Sequence, residues 1–269
     1  MLAKRSIIIL LFLLWTQNAL AAVNDNLELV LDFEDADRGL DTSGNGLNFS
    51  TNGTLPTVAG KIGSTAIIPD CTNFLSLADG SSGPLKVTNG SFSVSYWINT
   101  GEYVGAGHAV LSQRTGTSAG WMATIVGSGV VRMSIDDGSF SDVASSGGAT
   151  NIENSGWHHV VSVSDQSVPE IRHYVDGALD GQGAASLRNI SNVYDVRVGC
   201  LASGVFPLSE TVDQIAFWSR ALTLTDAQTI YNSGTGITLP ETASGPSFIP
   251  GRSIIIIGLE WFAERFFGA

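Results

Sequence analysis

Gly156-Trp157-His158-His159-Val160-Val161-Ser162-Val163-Ser164-Asp165 leads, after a short break, into Ile171-Arg172-His173-Tyr174-Val175-Asp176-Gly177. Val161 and Val163 alternate with Ser162 and Ser164, the period of a half-buried strand. The second run ends in Asp176-Gly177, a dipeptide suited to a tight turn with positive φ. Together they predict an antiparallel meander with a tryptophan at the mouth of its first strand. Successive strand residues point to opposite faces, so the rings of His158 and His159 cannot converge on one metal. Both read as structural.

The same period recurs on either side. Leu27, Leu29, Leu31 and Phe33 share one face of Leu27–Glu34, with Glu28, Asp32 and Glu34 on the other. Phe74–Leu77, Phe92–Ile98, Ala109–Ser112, Trp121–Val126, Val130–Ile135, Val193–Gly199 and Val212–Trp218 are further strands. One short helix follows: Thr223 suits its N-cap, Asp226 its positive end and Gly234 its C-terminal cap, with Leu224, Ala227, Ile230 and Tyr231 spaced for one face. Thirty-one glycines, 43% hydrophobic and only 14% charged residues fit short strands joined by turns around a sizeable core. The fold class expected is all-β, a two-sheet antiparallel sandwich with one short C-terminal helix.

A formal net charge of −12 makes nucleic acid and anionic lipid poor partners. Residues 1–21 have the form of a secretory signal peptide: basic Lys4 and Arg5, an apolar Ile7–Trp15, then small residues at Ala19 and Ala21, with cleavage expected after Ala21. Export to the periplasm, cell surface or medium places Cys71 and Cys200 in an oxidising compartment, where a disulfide between them is expected.

Asp41-Thr42-Ser43-Gly44-Asn45-Gly46, Gly60-Lys61-Ile62-Gly63, Phe92–Ile98, Trp157–Val160 with Tyr174–Gly177, and Val212–Trp218 occur in this order. Ordered motifs of this kind resemble those of the laminin-G-like (concanavalin A-like lectin/glucanase) jelly-roll domains of secreted bacterial proteins. The resemblance runs from Leu27 to Gly234, within a domain assigned to residues 22–239. It implies a jelly roll and a Ca²⁺ ion between the first loop and the last strand. Matched residue by residue, the calcium ligands would be Glu34, Asp41, Asn45 and Asp213, oxygen donors of the type a hard cation takes. The departure Pro69-Asp70-Cys71, where the family has Phe-Asp-Gly, favours a bridged Cys71.

No pair of acids shares a strand face in the pattern of a glycoside hydrolase, and no nucleophile elbow, zinc motif or phosphate loop occurs. The expectation is therefore not an enzyme but a secreted binding or adhesion module for extracellular glycans or surface proteins. Trp121, Tyr103 and Tyr194 are the candidate saccharide-stacking residues, whereas Trp97, Trp157 and Trp218 read as core. The second reading is a cell-surface structural or protein-interaction subunit. It rests on residues 253–269, an apolar tail beyond a Pro- and Gly-containing linker at 240–252, expected to contact a membrane or partner.

Overall fold

The computed structural model describes residues 23–240 apart from 79–82, 84, 102–106, 117, 139–141, 146–147 and 186–189. The expected signal peptide, Tyr103, the linker beyond Pro240 and the tail all lie outside the described residues.

In chain order the strands begin with β1 (Leu27–Leu31), β2 (Ser50–Asn52), β3 (Thr57–Ala59), β4 (Thr65–Ile67) and β5 (Phe74–Leu77). The long central strands follow: β6 (Phe92–Asn99), β7 (His108–Gln113), β8 (Gly120–Val126), β9 (Val130–Asp136) and β10 (Asp142–Ser145). Then come β11 (Trp157–Asp165), β12 (Glu170–Val175), β13 (Ala178–Ala184), β14 (Val196–Val198), β15 (Thr211–Trp218) and the helix α1 (Leu224–Tyr231). One sheet runs β13-β12-β11-β6-β15-β4-β3, with β1 also paired to β15; the other runs β10-β9-β8-β7-β14-β5-β2. The fifteen strands of the described residues all pair antiparallel.

The quoted meander forms as expected. Val163 stands opposite Arg172, and the return turn places Asp176 at φ 50° and Gly177 at φ 72°, the left-handed pair that Asp-Gly tolerates. The first strand is shorter than expected. It stops at Leu31, because Phe33 takes φ 60° and swings its ring back into the core, fully buried.

Alternation decides which layer each side chain joins. Phe92, Val94, Tyr96 and Ile98 of β6 meet Trp121, Ala123 and Ile125 of β8 and Val131, Met133 and Ile135 of β9 between the sheets. The opposite face of the first sheet is apolar too: Val30, Val161, Val163, Ala216 and Trp218 lie under Ala227 and Ile230 of α1 and under Val23. Trp218 Nε1 donates to the Val23 carbonyl at 2.7 Å, fixing the start of the domain to its last strand.

Helix α1 begins as predicted. Thr223 and Asp226 form a reciprocal capping box, and Asp226 also pairs with Arg220 at 3.0 Å. It ends earlier than predicted, at Asn232 in the left-handed conformation and not at Gly234, with Leu224 left largely exposed.

Candidate ligand-binding face

The carboxylates expected to hold calcium are occupied by the chain itself. Asp41 Oδ1 accepts from Val30 N and Ser43 N, and Oδ2 accepts from Ser43 Oγ and Leu47 N, all at 2.9–3.0 Å. Those four bonds use the acceptor capacity of a carboxylate. Asn45 presents its amide nitrogen, donating to the carbonyls of Leu27 and Glu28. Glu34 accepts from Ser64 N, Ser64 Oγ and Thr65 N. Asp213 Oδ2 accepts from Lys61 N at 2.6 Å and Ile62 N at 2.8 Å, while Oδ1 accepts from Gln214 N at 2.7 Å.

Two staples result in place of one cage. Asp41 folds the 41–47 loop against β1, and Glu34 with Asp213 brackets the turn at Gly60–Gly63. A Cβ on Gly60 would sit 3.0 Å from Asp213 Oδ2, and one on Gly63 only 2.6 Å from Glu34 Oε1, which accounts for the glycines of that motif. Among the described residues no three His, Cys, Asp or Glu side chains gather to hold a metal ion. The four residues do not fit a shared Ca²⁺.

Burial pushes the Asp213 carboxyl up to about 6, with its three N–H donors offsetting only part of that rise and the Glu34 charge adding to it. Across the sheet, His159 is fully enclosed beside Trp97 and Tyr231, and burial pushes it down to about 3 against the pull of Asp176. Its Nε2 meets Ser95 Oγ at 2.8 Å. His158 points elsewhere, as strand alternation requires: Nδ1 lies 2.7 Å from Asp176 Oδ2 and Nε2 lies 2.8 Å from Ser155 Oγ. Ser155 stands on an exposed turn, and we read this hydrogen-bonded line as a clamp on the β11 entry.

Trp121 has to be corrected. Its ring is fully buried between the sheets, with centroids 5.4 Å from both Phe92 and Phe217, so it has no face for a sugar. It shares parity with Ala123 and Ile125, and that parity outweighs the polar run before it. Tyr194 is half-buried before β14, its backbone N–H donating to Asn192 Oδ1 at 2.8 Å. Of the expected core tryptophans, Trp97 and Trp218 are buried, and Trp157 is partly exposed.

The expected disulfide is present: Cys71 and Cys200 are bridged with Cα atoms 5.0 Å apart. It fixes the start of a compact loop after β14. Leu201 N donates to Val205 O, Gly204 N to Leu201 O, and Leu208 N to Gly199 O. Beyond the bridge the loop lays Phe206 on the outer face of the second sheet, where Ala109 N donates to the Phe206 carbonyl at 3.1 Å.

Phe206 has φ 59°, costly for a bulky residue by about 1–3 kcal/mol. Its ring lies against Gly107, where a Cβ would approach it to 3.2 Å. Beside it opens a depression of about 330 Å³ lined by Gly107, Met122, Thr124, Val126, Gly127, Arg132 and Phe206. Aromatic, aliphatic, hydroxyl and guanidinium groups thus meet on one sheet face, the mixture typical of small-ligand sites.

Neither Arg132 nor Phe206 is legible as a site residue from pattern alone. Arg132 shares parity with Ser134 and Asp136 in β9, which identifies an outward side chain and nothing more. Phe206 lies in a loop without any period.

A family model for the concanavalin A-like lectin/glucanases superfamily matches residues 72–228, more than half of the chain. No curated protein matches the sequence. Among solved structures, the binding domain of Paraclostridial Mosquitocidal Protein 1 superposes with a TM-score of 0.63 at 17% identity, over 78% of this chain and 53% of that one. Domain 4 of AbnA, a GH43 extracellular arabinanase from Geobacillus stearothermophilus solved with arabinotriose, gives 0.61 at 19% identity, over 76% and 97%. The binding domain of botulinum neurotoxin serotype G gives 0.60 at 16%, over 77% and 50%. The chain thus spans about half of the two toxin binding domains and nearly all of the arabinanase domain. By its matched motifs and its two-sheet sandwich, the chain belongs to the concanavalin A-like lectin/glucanases superfamily.

Proposed function

We propose that this protein is a non-catalytic, exported binding module that holds a saccharide on the outer face of its second sheet, against Phe206. The observation that carries this reading is the strained, disulfide-braced placement of Phe206 over a lined depression. Backbone strain persists where surrounding structure enforces it, and such residues cluster at ligand sites. A sugar's C–H face stacks on an aromatic ring, while its hydroxyls need the polar groups that Thr124 and Arg132 supply nearby. The volume sits at the small end of the range for ligand pockets, about 300–1,000 Å³. Similarity in fold to a sugar-bound arabinanase domain and to toxin binding domains supports a binding role. The Cys71–Cys200 bridge supports export, because disulfides persist in oxidising compartments.

The test is a glycan array followed by calorimetry on the hits, with wild-type protein and Phe206→Ala. Binding that Phe206→Ala weakens by tenfold or more, about 1.4 kcal/mol, is expected. The reading fails if no saccharide binds, or if Phe206→Ala binds as the wild type does.

A further inference from the structure

Arg132 differs from every other arginine in the described residues. Arg38 donates to the carbonyls of Phe33 and Asp35, Arg114 pairs with Asp136, and Arg172 with Asp165 and Glu170. Arg197 donates to the Leu201 carbonyl, and Arg220 pairs with Asp226. Arg132 meets no carboxylate and no acceptor among the described residues; its Nε, like those of Arg114, Arg172 and Arg197, is shut off from solvent without a partner, but here no other nitrogen of the guanidinium is paired either. In a chain with 25 acidic residues against 13 basic ones, an arginine left unpaired is unexpected on charge grounds. It lines the Phe206 depression, among Met122, Val126 and the aromatic ring.

We infer that Arg132 is a carboxylate anchor, and that the ligand of this face is a saccharide carrying a carboxylate, such as a uronic or sialic acid. The inference rests on the saccharide-binding reading above and narrows its ligand class. A guanidinium offers a planar fork of donors that matches a carboxylate in two parallel bonds. Apolar lining strengthens that contact by excluding water. Attraction at long range cannot substitute for it, since a protein of net charge −12 repels anions from a distance. Affinity for an acidic sugar must therefore arise at a local cation. Arg132 supplies it within one depression with the ring on which the sugar would stack.

The test uses the full mature chain and calorimetry against a panel of oligouronates and sialyl-oligosaccharides, each paired with its carboxyl methyl ester. Wild-type protein should bind at least one free acid about tenfold or more tightly than its ester. Arg132→Gln should weaken acid binding far more than ester binding, bringing the two to about the same affinity. Phe206→Ala should weaken both. Arg132→Lys keeps stem and charge but not the fork, and should lose most of the preference; it replaces Gln if a melting curve shows that Gln impairs folding. Equal binding of acid and ester in every pair, with Phe206→Ala still weakening both, overturns the carboxylate assignment and leaves the saccharide site standing. A preference that survives both Arg132 variants overturns it as well. Binding of neither member of any pair brings down the assignment and the site together.

Discussion

His158 Nδ1 and Asp176 Oδ2 lie 2.7 Å apart, while the other Asp176 oxygen accepts the backbone N–H of His159 at 2.9 Å. One carboxylate thus ties the entry of β11 to the turn between β12 and β13. Desolvation raises the Asp176 pKa, but the bonds from His158 and His159 outweigh it and hold the group below its ordinary value of 3.8. A carboxylate lowered in the folded state stabilises above that ordinary value, and the contribution is lost as pH falls through the folded pKa. Asp176→Ala removes both bonds and a residue that tolerates φ 50°. It should destabilise by about 1–3 kcal/mol in urea unfolding near neutral pH. Asp176→Asn, which keeps an acceptor and suits the turn, should cost less. Equal midpoints for wild type and Asp176→Ala would remove the clamp from the argument.

Trp97 stands in register between His159 on one side and Asp213 on the other, and these two neighbours titrate with opposite consequences. His159, pushed down to about 3, stays neutral in the folded protein while the unfolded chain takes up a proton near 6.5. Stability is therefore lost as pH falls through that window. Asp213, pushed up to about 6, binds its proton more tightly when folded than when unfolded. Its contribution is full below 3.8 and is lost as pH rises to about 6. Between pH 4.5 and 6 the two slopes oppose. Unfolding free energy should be nearly flat there in the wild type, rise with pH in Asp213→Asn, and fall with pH in His159→Gln. Parallel profiles for all three proteins would show that neither group is shifted as described.

Much of the sandwich is readable because strand period and turn chemistry agree. Trp157–Asp165, Ile171–Val175 and Val212–Trp218 alternate cleanly, and Asp176-Gly177 dictates the turn between two of the strands. What alternation does not disclose is which face is inner when both faces are covered. Trp97 and Tyr96 are adjacent in β6 and both buried, one under α1 and Lys61, the other between the sheets. The polar residues before Trp121 suggest an exposed ring, but its parity with Ala123 and Ile125 places it inside. The resemblance groups Glu34, Asp41 and Asp213 around one ion, yet backbone N–H groups, which have no signature in sequence, claim all three. Phe206 depends on a disulfide 129 residues long in its closure and on a left-handed φ, neither of which has a local pattern.

Chelation should leave the melting curve unchanged. The acceptor sites of Asp41 are filled by four donors, and Asp213 already accepts three backbone N–H bonds in a buried setting away from Asp41, so no shared ion is held without displacing bonds the fold makes. Scanning calorimetry in excess EDTA, then with Ca²⁺ restored, checks this. A fall of several degrees on chelation that calcium reverses would demonstrate a bound ion.

Reducing the Cys71–Cys200 bridge opens a closure of 129 residues, worth at most about 5 kcal/mol of unfolded-state entropy. It also frees the loop that carries Phe206. Cys71→Ser/Cys200→Ser should therefore lower the melting temperature and weaken saccharide binding at temperatures where the domain is still folded. Binding that falls only where unfolding sets in would separate the bridge from the site.

Trp121 and Phe206 offer the sharpest contrast between a core aromatic and a site aromatic. Trp121 is enclosed by Phe92 and Phe217, so Trp121→Ala leaves a cavity between the sheets and should cost about 3–5 kcal/mol. Phe206 is half-exposed and held at φ 59°, where a glycine would be at ease. Phe206→Gly gives up the ring's contact at Gly107 but releases backbone strain, so its stability should stay within about 1 kcal/mol of wild type. The binding results should run the other way. Phe206→Gly should lose saccharide affinity while melting like the wild type. A conservative Trp121→Phe should retain affinity despite a lower melting temperature. Chemical denaturation and calorimetry on the same preparations make the comparison. A Phe206→Gly protein that unfolds several kilocalories more easily would return this ring to the core, and with it the case for a site on this face.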